Sequence, residues 1–352
     1  MPVRQRGRVR AAITVGPRAI DLVERPDPRE PRPGETLLQV EVVGVCGSDL
    51  HFYRNDLGPA HARLFPVVQG HEFSAVVAAV DPAGSPFEVG ERVAVWPVNG
   101  CGRCRPCTSH RPNVCSDLEL VGVHRDGALQ DYLAVQTANV VRANDLGATR
   151  TALVEPVSIA VHTVARARVR EDERVVVFGA GPIGFATAIA ARDRGATVVV
   201  VDPLASRRDL VARAGFEAGA TDVASIEHLR GEVGPHVVID TTGRPDVLQT
   251  ALDVASNGGR VVVVGLTSAT APVCSGTLPF KELDVLGVSC CVADEFAAAV
   301  DLVGAHGKLF DTFVSHTFPL TGVGDAFELL EHEPDAAYKA LIDLRAGAGA
   351  AP

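Results

Sequence analysis

The feature that most constrains the fold of this chain is a glycine-rich turn between an apolar run and an alanine-rich segment. Gly179, Gly181 and Gly184 form the pattern GAGPIG directly after the valine-rich run RVVVF. In that context the first glycine permits a tight turn, the second lets the backbone approach a pyrophosphate at the positive end of a helix, and the third permits close helix packing. The pattern predicts a dinucleotide-binding βαβ unit in which Pro182 and Ile183 also contact the cofactor.

An acidic residue closes the second predicted strand of this unit. Asp202 follows the run TVVVV, 18 residues beyond Gly184. It is placed to accept hydrogen bonds from the adenosine ribose hydroxyls and to repel a 2′-phosphate, which predicts NAD rather than NADP. Arg207 and Arg208 are the alternative, as phosphate ligands, but both lie in a predicted helix start. The remaining candidate cofactor contacts are Arg207, Val264, Gly265 and Leu266.

Two kinds of apolar run divide the chain. From about residue 37 to 141 the runs are short, β-branched and separated by Gly and Pro, which predicts irregular antiparallel β structure. From about residue 151 strand-like and helix-like runs alternate, which predicts an α/β fold with a doubly wound parallel sheet. Its predicted strands are Arg174–Phe178, Thr197–Asp202, His236–Asp240 and Arg260–Gly265. After about residue 292 a helix, a strand at 313–318 and a unit ending near 344 return to the first domain.

Charge and hydrophobicity exclude several classes of protein. The 352 residues carry a formal net charge of −10, which argues against a nucleic-acid surface. No stretch approaches the roughly 20 apolar residues of a membrane helix. The basic opening segment is not followed by the apolar region of a signal peptide. These observations predict a cytoplasmic protein without a membrane partner.

Four of the eight cysteines fall between Cys101 and Cys115, in a stretch rich in Gly, Pro and Asn. With Cys104 and Cys107 between them, the spacing does not resemble the disulfide framework of a small secreted domain. Four thiolates complete a closed tetrahedral zinc site that leaves no position for a substrate. The stretch predicts a structural zinc. An iron–sulfur cluster is the alternative, but the run lacks the ferredoxin spacing.

A second set of candidate metal ligands is spread along the chain. Cys46 lies in GVCGSDLH, His71 and Glu72 lie in GHE, and Glu155 lies in VEP. Taken singly, each has an ordinary role as a buried cysteine, a core histidine or a charge at a helix terminus. Together they supply the thiolate, imidazole and carboxylate of a catalytic zinc site with one open position.

These segments together resemble the zinc-containing medium-chain dehydrogenases of the alcohol dehydrogenase superfamily, on the sorbitol, threonine and hexonate dehydrogenase branch. The segments that carry the likeness are CGSDLH at 46–51, GHE at 70–72, the four-cysteine stretch, VEP at 154–156, GAGPIG at 179–184 and FKELDVLG at 280–287. The resemblance implies a GroES-like catalytic domain, residues 1–152 and 293–352, with a structural zinc lobe at about 98–118. It also implies a Rossmann NAD-binding domain, residues 153–292, and a homo-oligomer, either a tetramer or a dimer.

The resemblance further implies a catalytic zinc held by Cys46 and His71 with an acidic third ligand. Either Glu72 or Glu155 supplies that ligand, and the sequence does not rank them. The classical alcohol dehydrogenases have a cysteine where this chain has Glu155, which implies the polyol and amino-alcohol branch.

A proton path follows from the same resemblance. Zinc lowers the pKa of a substrate hydroxyl, Ser48 is placed to take its proton, and His51 is placed to pass the proton on through the cofactor ribose. The hydride passes to the nicotinamide. The predicted cofactors are therefore two zinc ions per chain and NAD.

The substrate is predicted only as a class: a polyol, a sugar acid, an aminocyclitol or an amino alcohol that carries a secondary hydroxyl. GVHRDG at 122–127 resembles enzymes that act on hexonates. GVSCC at 287–291, by contrast, lacks the Phe-Arg-Tyr of sorbitol dehydrogenases and the Ser-Arg-Leu-Asn of hexonate enzymes, and with them an expected substrate-binding arginine. Cys290 and Cys291 would make a less polar wall beside the nicotinamide, or they are ordinary buried thiols.

Two other functions are weighed against the dehydrogenase. A non-catalytic NAD-binding sensor or scaffold would need the glycine loop but not the open metal site. A zinc-free quinone or enoyl reductase would not explain the candidate ligands. The sequence favours the enzyme because the ligands and the proton-path residues are all present.

Overall fold

The structure of the chain is a computed structural model that describes residues 9–56, 65–221, 225, 233–333 and 335–346. The basic opening segment, residues 1–8, lies outside this part. The chain forms two compact units, one of Met1–Glu155 with Val292–Pro352 and one of Pro156–Cys291. Among the described residues, none of the helices combines the length and the apolar character needed to cross a bilayer.

The first unit is made mainly of short strands, as its short β-branched runs predict. Its strands are β1 (Val9–Gly16), β2 (Ala19–Arg25), β3 (Glu35–Gly44), β4 (Glu72–Val80), β5 (Arg92–Val95), β6 (Val98–Asn99), β7 (Glu119–Leu120), β8 (Tyr132–Gln136), β9 (Val140–Arg142), β16 (Val314–Pro319) and β17 (Lys339–Asp343). Seven of them form a sheet in the order β16-β17-β3-β4-β5-β9, with β8 also paired to β3. Strands β16 and β17 are parallel, and the other neighbours are antiparallel.

The helices of this unit pack on the sheet or connect its strands. They are α1 (Gly47–Arg54), α2 (Arg105–Thr108), α3 (Gly147–Ala152), α9 (Ala293–Ala305), α10 (Gly307–Asp311) and α11 (Val323–His332). The core contains Leu38, Val43, Phe73, Phe327 and Ile342, all of them 2% exposed or less. Burying large apolar side chains of this kind stabilises the fold by about 1.5–3 kcal/mol each. Strand β17 therefore ties the end of the chain to the centre of this sheet.

The second unit is a parallel sheet flanked by helices. Its strands, β10 (Arg174–Phe178), β11 (Thr197–Val201), β12 (Glu217–Gly219), β13 (Val237–Asp240), β14 (Arg260–Val263) and β15 (Asp284–Gly287), run in the order β12-β11-β10-β13-β14-β15. Its helices are α4 (Val154–Arg166), which begins at the unit boundary, α5 (Pro182–Asp193), α6 (Ala205–Arg213), α7 (Pro245–Val254) and α8 (Thr277–Lys281). Val176, Val199 and Val238 are at most 1% exposed, as expected for strands that are covered on both faces.

The predicted α/β class is confirmed, and the predicted strand at 174–178 has the same bounds as β10. Strands β12 and β15 lie at the two edges of the sheet and are not predicted by the apolar runs of the sequence. Both are short, and most of β15 is exposed, so neither carries a long apolar run. In the order β11-β10-β13, one strand lies on each side of β10. The carboxyl ends of these two strands lie next to the glycine loop. Open α/β sheets bind their ligands at such a reversal of strand order.

Candidate metal centres and cofactor loop

The cysteine lobe brings four sulfur atoms together within a short stretch of chain. The ligand atoms of the four cysteines lie within 4.8 Å of one another; the residues are Cys101, Cys104, Cys107 and Cys115. Backbone N–H groups point at the sulfurs: Cys101 donates to Cys115 Sγ at 3.2 Å, and Cys104 donates to Cys101 Sγ at 3.4 Å. A Cβ at Gly100 would lie 2.9 Å from Cys107 Sγ. The absence of a side chain there lets the sulfurs pack closely.

The pKa values of two cysteines in this lobe are shifted in opposite directions. Backbone N–H groups of Cys107 and Ser116 lower the pKa of Cys104 to about 6. Burial and the neighbouring Cys104 raise the pKa of Cys107 to about 12. The two shifts are opposite because a thiolate at Cys104 disfavours the ionisation of the neighbouring Cys107. The donor set and its closeness fit a tetrahedral zinc held by four thiolates.

A second candidate centre joins three different ligand types in the interior of the first unit. The ligand atoms of Cys46, His71 and Glu72 lie within 4.8 Å of one another, and the histidine and the glutamate are buried. Cys46 is the N-cap residue of α1, and Glu72 is the first residue of β4. Sulfur, nitrogen and oxygen donors from three protein residues fit a catalytic zinc, which keeps its remaining position open.

Asp49 links the cysteine and the histidine of this centre. It is 1% exposed, and its Oδ2 accepts a hydrogen bond from the Cys46 backbone N–H at 3.0 Å. Its Oδ1 lies 3.5 Å from His71 Nδ1. Burial lowers the pKa of His71, but the Asp49 carboxylate and the Cys46 side chain outweigh that effect and raise it well above the usual value. Because Nδ1 faces Asp49, the Nε2 atom of His71 is the nitrogen available to a metal.

Glu72 is held by a buried lysine. Lys339, the first residue of β17, forms an ion pair through its Nζ with Glu72 Oε2, and the two side chains are 4% and 1% exposed. Burial lowers the pKa of Lys339, whereas Glu72 and Cys46 raise it, and the net shift is upward. A Cβ at Gly44, which is paired with Glu72 across β3 and β4, would collide with Glu72 Oε2. The glycine therefore makes room for the ion pair.

Glu155, the other candidate carboxylate, lies near the same groups without joining the tight cluster. It is 7% exposed, and burial raises its pKa to about 7, with His71 opposing and Glu72 adding to the shift. The described ligand cluster holds Glu72 but not Glu155. The structure thus brings both glutamates to one region and gives Glu72 the ligand-like distance.

Three glycines fix the segment that carries His71. Gly70 has a φ of 95° and precedes the histidine, and a Cβ on either Gly122 or Gly127 would collide with the Gly70 carbonyl oxygen. Asp126 Oδ1 accepts from the Val68 N–H at 3.0 Å. The GVHRDG motif therefore packs against the backbone beside a candidate metal ligand.

The two candidate proton-path residues lie on α1. Ser48 and His51 are both half-buried and three positions apart, so they share one face of the helix. Ser48 lies in the first turn, two residues after Cys46. The helix thus brings the cysteine and both proton-path candidates into one short segment.

The glycine loop has the local geometry that its sequence predicts. Gly179 adopts a φ of 98°, and Gly181 is the N-cap residue of α5, which begins at Pro182. A Cβ at Gly184 would collide with the Gly179 carbonyl oxygen. A Cβ at Gly181 would have only Arg207 Nη1 nearby, at 3.6 Å, so the space above this residue is open for a phosphate group.

Asp202 supports this loop from the next strand. It is 4% exposed, and its carboxylate accepts from the Ala180 N–H at 2.8 Å and from the Leu204 N–H at 2.9 Å. Arg208 donates through Nη1 to the backbone oxygens of Asp202 and Pro203, at 2.8 and 2.7 Å. Arg207, in contrast, lies near Gly181. Asp202 therefore orders the glycine loop, a role that the sequence analysis did not assign to it.

The other candidate cofactor residues follow the ends of strands in the same unit. The Val264 and Gly265 N–H groups donate to the Asp240 carbonyl at 2.8 and 3.2 Å, and Leu266 is 56% exposed. Cys291 is buried, and its Sγ forms a hydrogen bond of 3.1 Å with Ser158 Oγ. Cys290 is half-buried and has a φ of 49°.

Asp49 and Lys339, the charged partners of the candidate ligands, are not among the residues predicted from the sequence. Asp49 carried a detectable signal, because an acid three residues after an N-cap residue is the capping-box spacing. Lys339 carried only a weak one, a single cation in the apolar strand KALID. Nothing in the sequence joins it to Glu72, which lies 267 positions earlier.

A β-rich unit with a buried Cys–His–Glu cluster, together with a parallel sheet that carries a GxGxxG loop, defines the class of zinc-dependent medium-chain dehydrogenases. Residues 32–145 match the family described as the alcohol dehydrogenase GroES-like domain, and residues 182–305 match the zinc-binding dehydrogenase family. The chain belongs to the zinc-containing alcohol dehydrogenase family, whose members are oxidoreductases that use NAD or NADP.

Individual relatives cover nearly the whole chain. The chain is 32% identical over 342 residues to 2-dehydro-3-deoxy-L-galactonate 5-dehydrogenase of Pseudoalteromonas atlantica, which covers 96% of this chain and 99% of the relative. It is 32% identical over 333 residues to the starvation-sensing protein RspB of Escherichia coli K12, covering 93% and 96%. Its fold is similar, with a TM-score of 0.87 and 30% identity over 96% and 99% of the two chains, to a short chain alcohol dehydrogenase (rspB) from Escherichia coli CFT073 solved with NADH.

Proposed function

We propose that the chain is an NAD-dependent zinc dehydrogenase that oxidises the secondary hydroxyl of a polar substrate or reduces the corresponding ketone. The buried cluster of Cys46, His71 and Glu72, with ligand atoms within 4.8 Å of one another, carries this proposal. We assign these three residues to a catalytic zinc and the four cysteines of the lobe to a structural one. The first unit is then the catalytic domain, and the second binds the dinucleotide.

The chemistry divides between the bound groups and the chain. When bound, zinc acidifies a coordinated hydroxyl and the nicotinamide accepts a hydride. The chain supplies the rest. Ser48 accepts the substrate hydroxyl proton and His51 carries it toward water, since both lie on the α1 face that follows Cys46. Asp49 holds Cys46 and His71 in register. Lys339 holds Glu72, and Glu155 adds a carboxylate that titrates near neutral pH.

The substrate class is a sugar acid, polyol, aminocyclitol or amino alcohol. The similarity to a 2-dehydro-3-deoxy-L-galactonate 5-dehydrogenase supports the sugar-acid group. A panel of these compounds is assayed for NADH formation at 340 nm, with the Cys46→Ser variant as the matched blank. At least one compound is expected to give zinc-dependent NADH with the wild type and none with the variant. Equal rates for the two proteins would contradict the assignment of Cys46 as a ligand of a catalytic zinc.

A non-catalytic NAD sensor is the second candidate, because one relative is named a starvation-sensing protein. A sensor binds NADH but shows no turnover with any member of the panel. Fluorescence titration with NADH separates the two: binding without turnover favours the sensor, and binding with turnover favours the enzyme.

We propose NAD over NADP because the Asp202 carboxylate would repel a 2′-phosphate. Asp202→Asn removes the charge and keeps one of the two oxygens that accept from the Ala180 and Leu204 N–H groups. It is expected to raise kcat/KM for NADP relative to NAD by about 10-fold or more, the effect of roughly 1.4 kcal/mol. Asp209→Asn, an exposed change on α6, is the matched control. A wild-type preference for NADP would contradict this assignment.

We also propose a cytoplasmic homo-oligomer. The eight cysteines form no disulfide, which suits a reducing compartment. Strand β15 ends its sheet; Val285 within it is 45% exposed, and Phe280 on the preceding helix α8 is 89% exposed. An edge strand with exposed apolar side chains favours pairing with a second copy. Light scattering is expected to show a dimer or tetramer, and Phe280→Glu is expected to lower that mass. A wild-type monomer would contradict the proposal.

A further inference from the structure

His51, the outer residue of the proposed proton path, has a carboxylate partner that the sequence analysis did not find. Its Nδ1 atom lies 2.6 Å from Asp56 Oδ1, a short hydrogen-bond distance. The imidazole is 27% exposed and the carboxylate 42%. The contact therefore lies at the surface end of α1, where a proton can leave to water.

The contact is built by the way in which α1 ends. Asn55 adopts the left-handed conformation, with φ 56° and ψ 44°. The Asp56 N–H donates to the His51 carbonyl at 3.2 Å, and the Asn55 N–H donates to the Phe52 carbonyl at 3.1 Å. These two bonds are the 6→1 and 5→2 bonds of a Schellman motif. The motif turns the chain back on itself and fixes Asp56 beside the histidine five positions earlier.

A neighbouring arginine holds the other oxygen of the carboxylate. Arg54 Nε lies 2.9 Å from Asp56 Oδ2, so Oδ1 is the oxygen that faces His51. Arg54 Nη2 lies 3.4 Å from His51 Nδ1, whereas Asp56 Oδ1 lies 2.6 Å from it, so the carboxylate is the closer partner of that nitrogen. An isolated surface ion pair stabilises a protein by only about 0–1 kcal/mol. The arrangement therefore adds little to folding, and its effect is to orient one oxygen toward one ring nitrogen.

We propose that Asp56 is a positioning residue that keeps the proton of neutral His51 on Nδ1, so that Nε2 is the nitrogen that accepts the proton of the reaction. This inference rests on the proposed function, in which His51 carries that proton. A carboxylate that accepts from one imidazole nitrogen sets which nitrogen carries hydrogen. During turnover Nε2 gains a proton and then loses it to water, while the Nδ1–H bond to Asp56 persists. The ring thus returns to its starting tautomer without rotating.

The tautomer is measured directly by long-range ¹H–¹⁵N NMR of histidine-labelled protein at a pH of about 8.5, roughly two units above the pKa of a free imidazole. The His51 signals are assigned by their loss in His51→Gln. Wild type is expected to show the Nδ1–H form. Asp56→Ala is expected to shift His51 toward the Nε2–H form, and Asp56→Asn, which keeps an oxygen acceptor, is expected to restore Nδ1–H. An unchanged tautomer in Asp56→Ala would overturn the proposal whatever the activity.

Kinetics on the same variants test the consequence for the reaction. Asp56→Ala is expected to lower kcat by about 3- to 10-fold with little change in the KM for NAD, a part of the about 10² or more that a general acid–base group contributes. Asp311→Ala, which removes a 48% exposed carboxylate 2.6 Å from Arg150 in the same unit, is the matched control and is expected to change neither kcat nor the tautomer.

The two measurements separate this inference from the proposed function. A changed tautomer in Asp56→Ala, with full activity in both that variant and His51→Gln, supports the positioning role and contradicts the proton path. A changed tautomer with full activity in Asp56→Ala, but a loss in His51→Gln, shows that the tautomer does not matter for turnover and overturns the proposal.

Discussion

The cysteine lobe and the buried centre around His71 differ in how far apart along the chain their ligands lie. The lobe draws all four sulfurs from residues 101–115, and backbone N–H groups surround them. The buried centre joins Cys46, His71 and Glu72, and a charged partner of Glu72 comes from β17, near the end of the chain. One site is made by a local loop, and the other is made by the tertiary fold.

This difference bears on what each site needs in order to exist. In the lobe, the proposed zinc would neutralise the thiolates, and backbone N–H groups already donate to the sulfurs. The buried centre uses Asp49 and Lys339 to balance its histidine and glutamate before any metal binds. We therefore expect loss of metal to disturb the local fold in the lobe, whereas in the buried centre it removes chemistry and leaves the fold.

The largest expected effect is that of Cys104→Ser on the lobe. Structural zinc sites contribute folding energy outright, about 10–16 kcal/mol of apparent binding energy in small peptides. Zinc analysis is expected to fall from two ions per chain to one. Limited proteolysis is expected to cut within residues 98–118. A variant that keeps two zinc ions and resists the protease would contradict the expectation that the lobe needs its zinc in order to fold.

Cys46→Ser tests the buried centre and is expected to leave the fold intact. Zinc content again falls to one ion per chain, but the melting curve and NADH binding are retained. Turnover falls by about 10³-fold or more, since a catalytic metal supplies several kcal/mol of transition-state stabilisation. Protease sensitivity like that of Cys104→Ser would show that the two sites do not divide the roles of fold and chemistry.

Lys339→Met probes the charge balance of the buried centre. Removing one partner of a buried ion pair leaves the Glu72 charge uncompensated and typically costs about 3–5 kcal/mol. Urea unfolding of the metal-free protein is expected to show that loss of unfolding free energy. The zinc-loaded protein is expected to lose less, because the metal ion partly replaces the charge of the Lys339 ammonium. Lys308→Met, an exposed change on α10, is the control. Equal stability of the Lys339→Met and Lys308→Met variants would contradict the proposal that Lys339 balances the charge of Glu72.

The smallest effect is a pH dependence of the metal-free protein. Burial raises the pKa of Glu155 from 4.5 to about 7. The folded state then binds more protons than the unfolded state between these values, so stability falls as the pH rises through that window, by about 3 kcal/mol. The raised pKa of His71 acts in the same direction. Urea midpoints at pH 5 and 8 check this. Glu155→Gln is expected to reduce the difference between the urea midpoints at pH 5 and 8. An unchanged difference would contradict the assignment of this pH dependence to Glu155.

The sequence predicts best what depends on neighbouring residues. The spacing of four cysteines and the GAGPIG turn are local patterns, and the structure brings the cysteine sulfurs together and places Gly181 at the start of α5. The α/β class follows from the alternation of apolar runs. In each case a short stretch of chain carries the whole signal.

What the sequence could not predict depends on distant pairs or on the exact path of a turn. Lys339 meets Glu72 only because β17 pairs with β3 and β3 with β4. Asp56 meets His51 only because Asn55 adopts a left-handed conformation that most residues avoid. Strands β12 and β15 were missed because an edge strand of three or four residues has little apolar character.

The glycine contacts beside His71 limit how this enzyme can be altered. A side chain at Gly122 or Gly127 would displace the Gly70 carbonyl and, with it, the adjacent His71. Between them, His124 and Arg125 are exposed, and His124 Nδ1 accepts a hydrogen bond from the Leu120 N–H at 3.0 Å. A library that randomises this loop to change substrate preference should therefore vary the two middle positions and keep the glycines. The loop therefore has two exposed positions that can be varied, between two glycines that leave no room for a side chain.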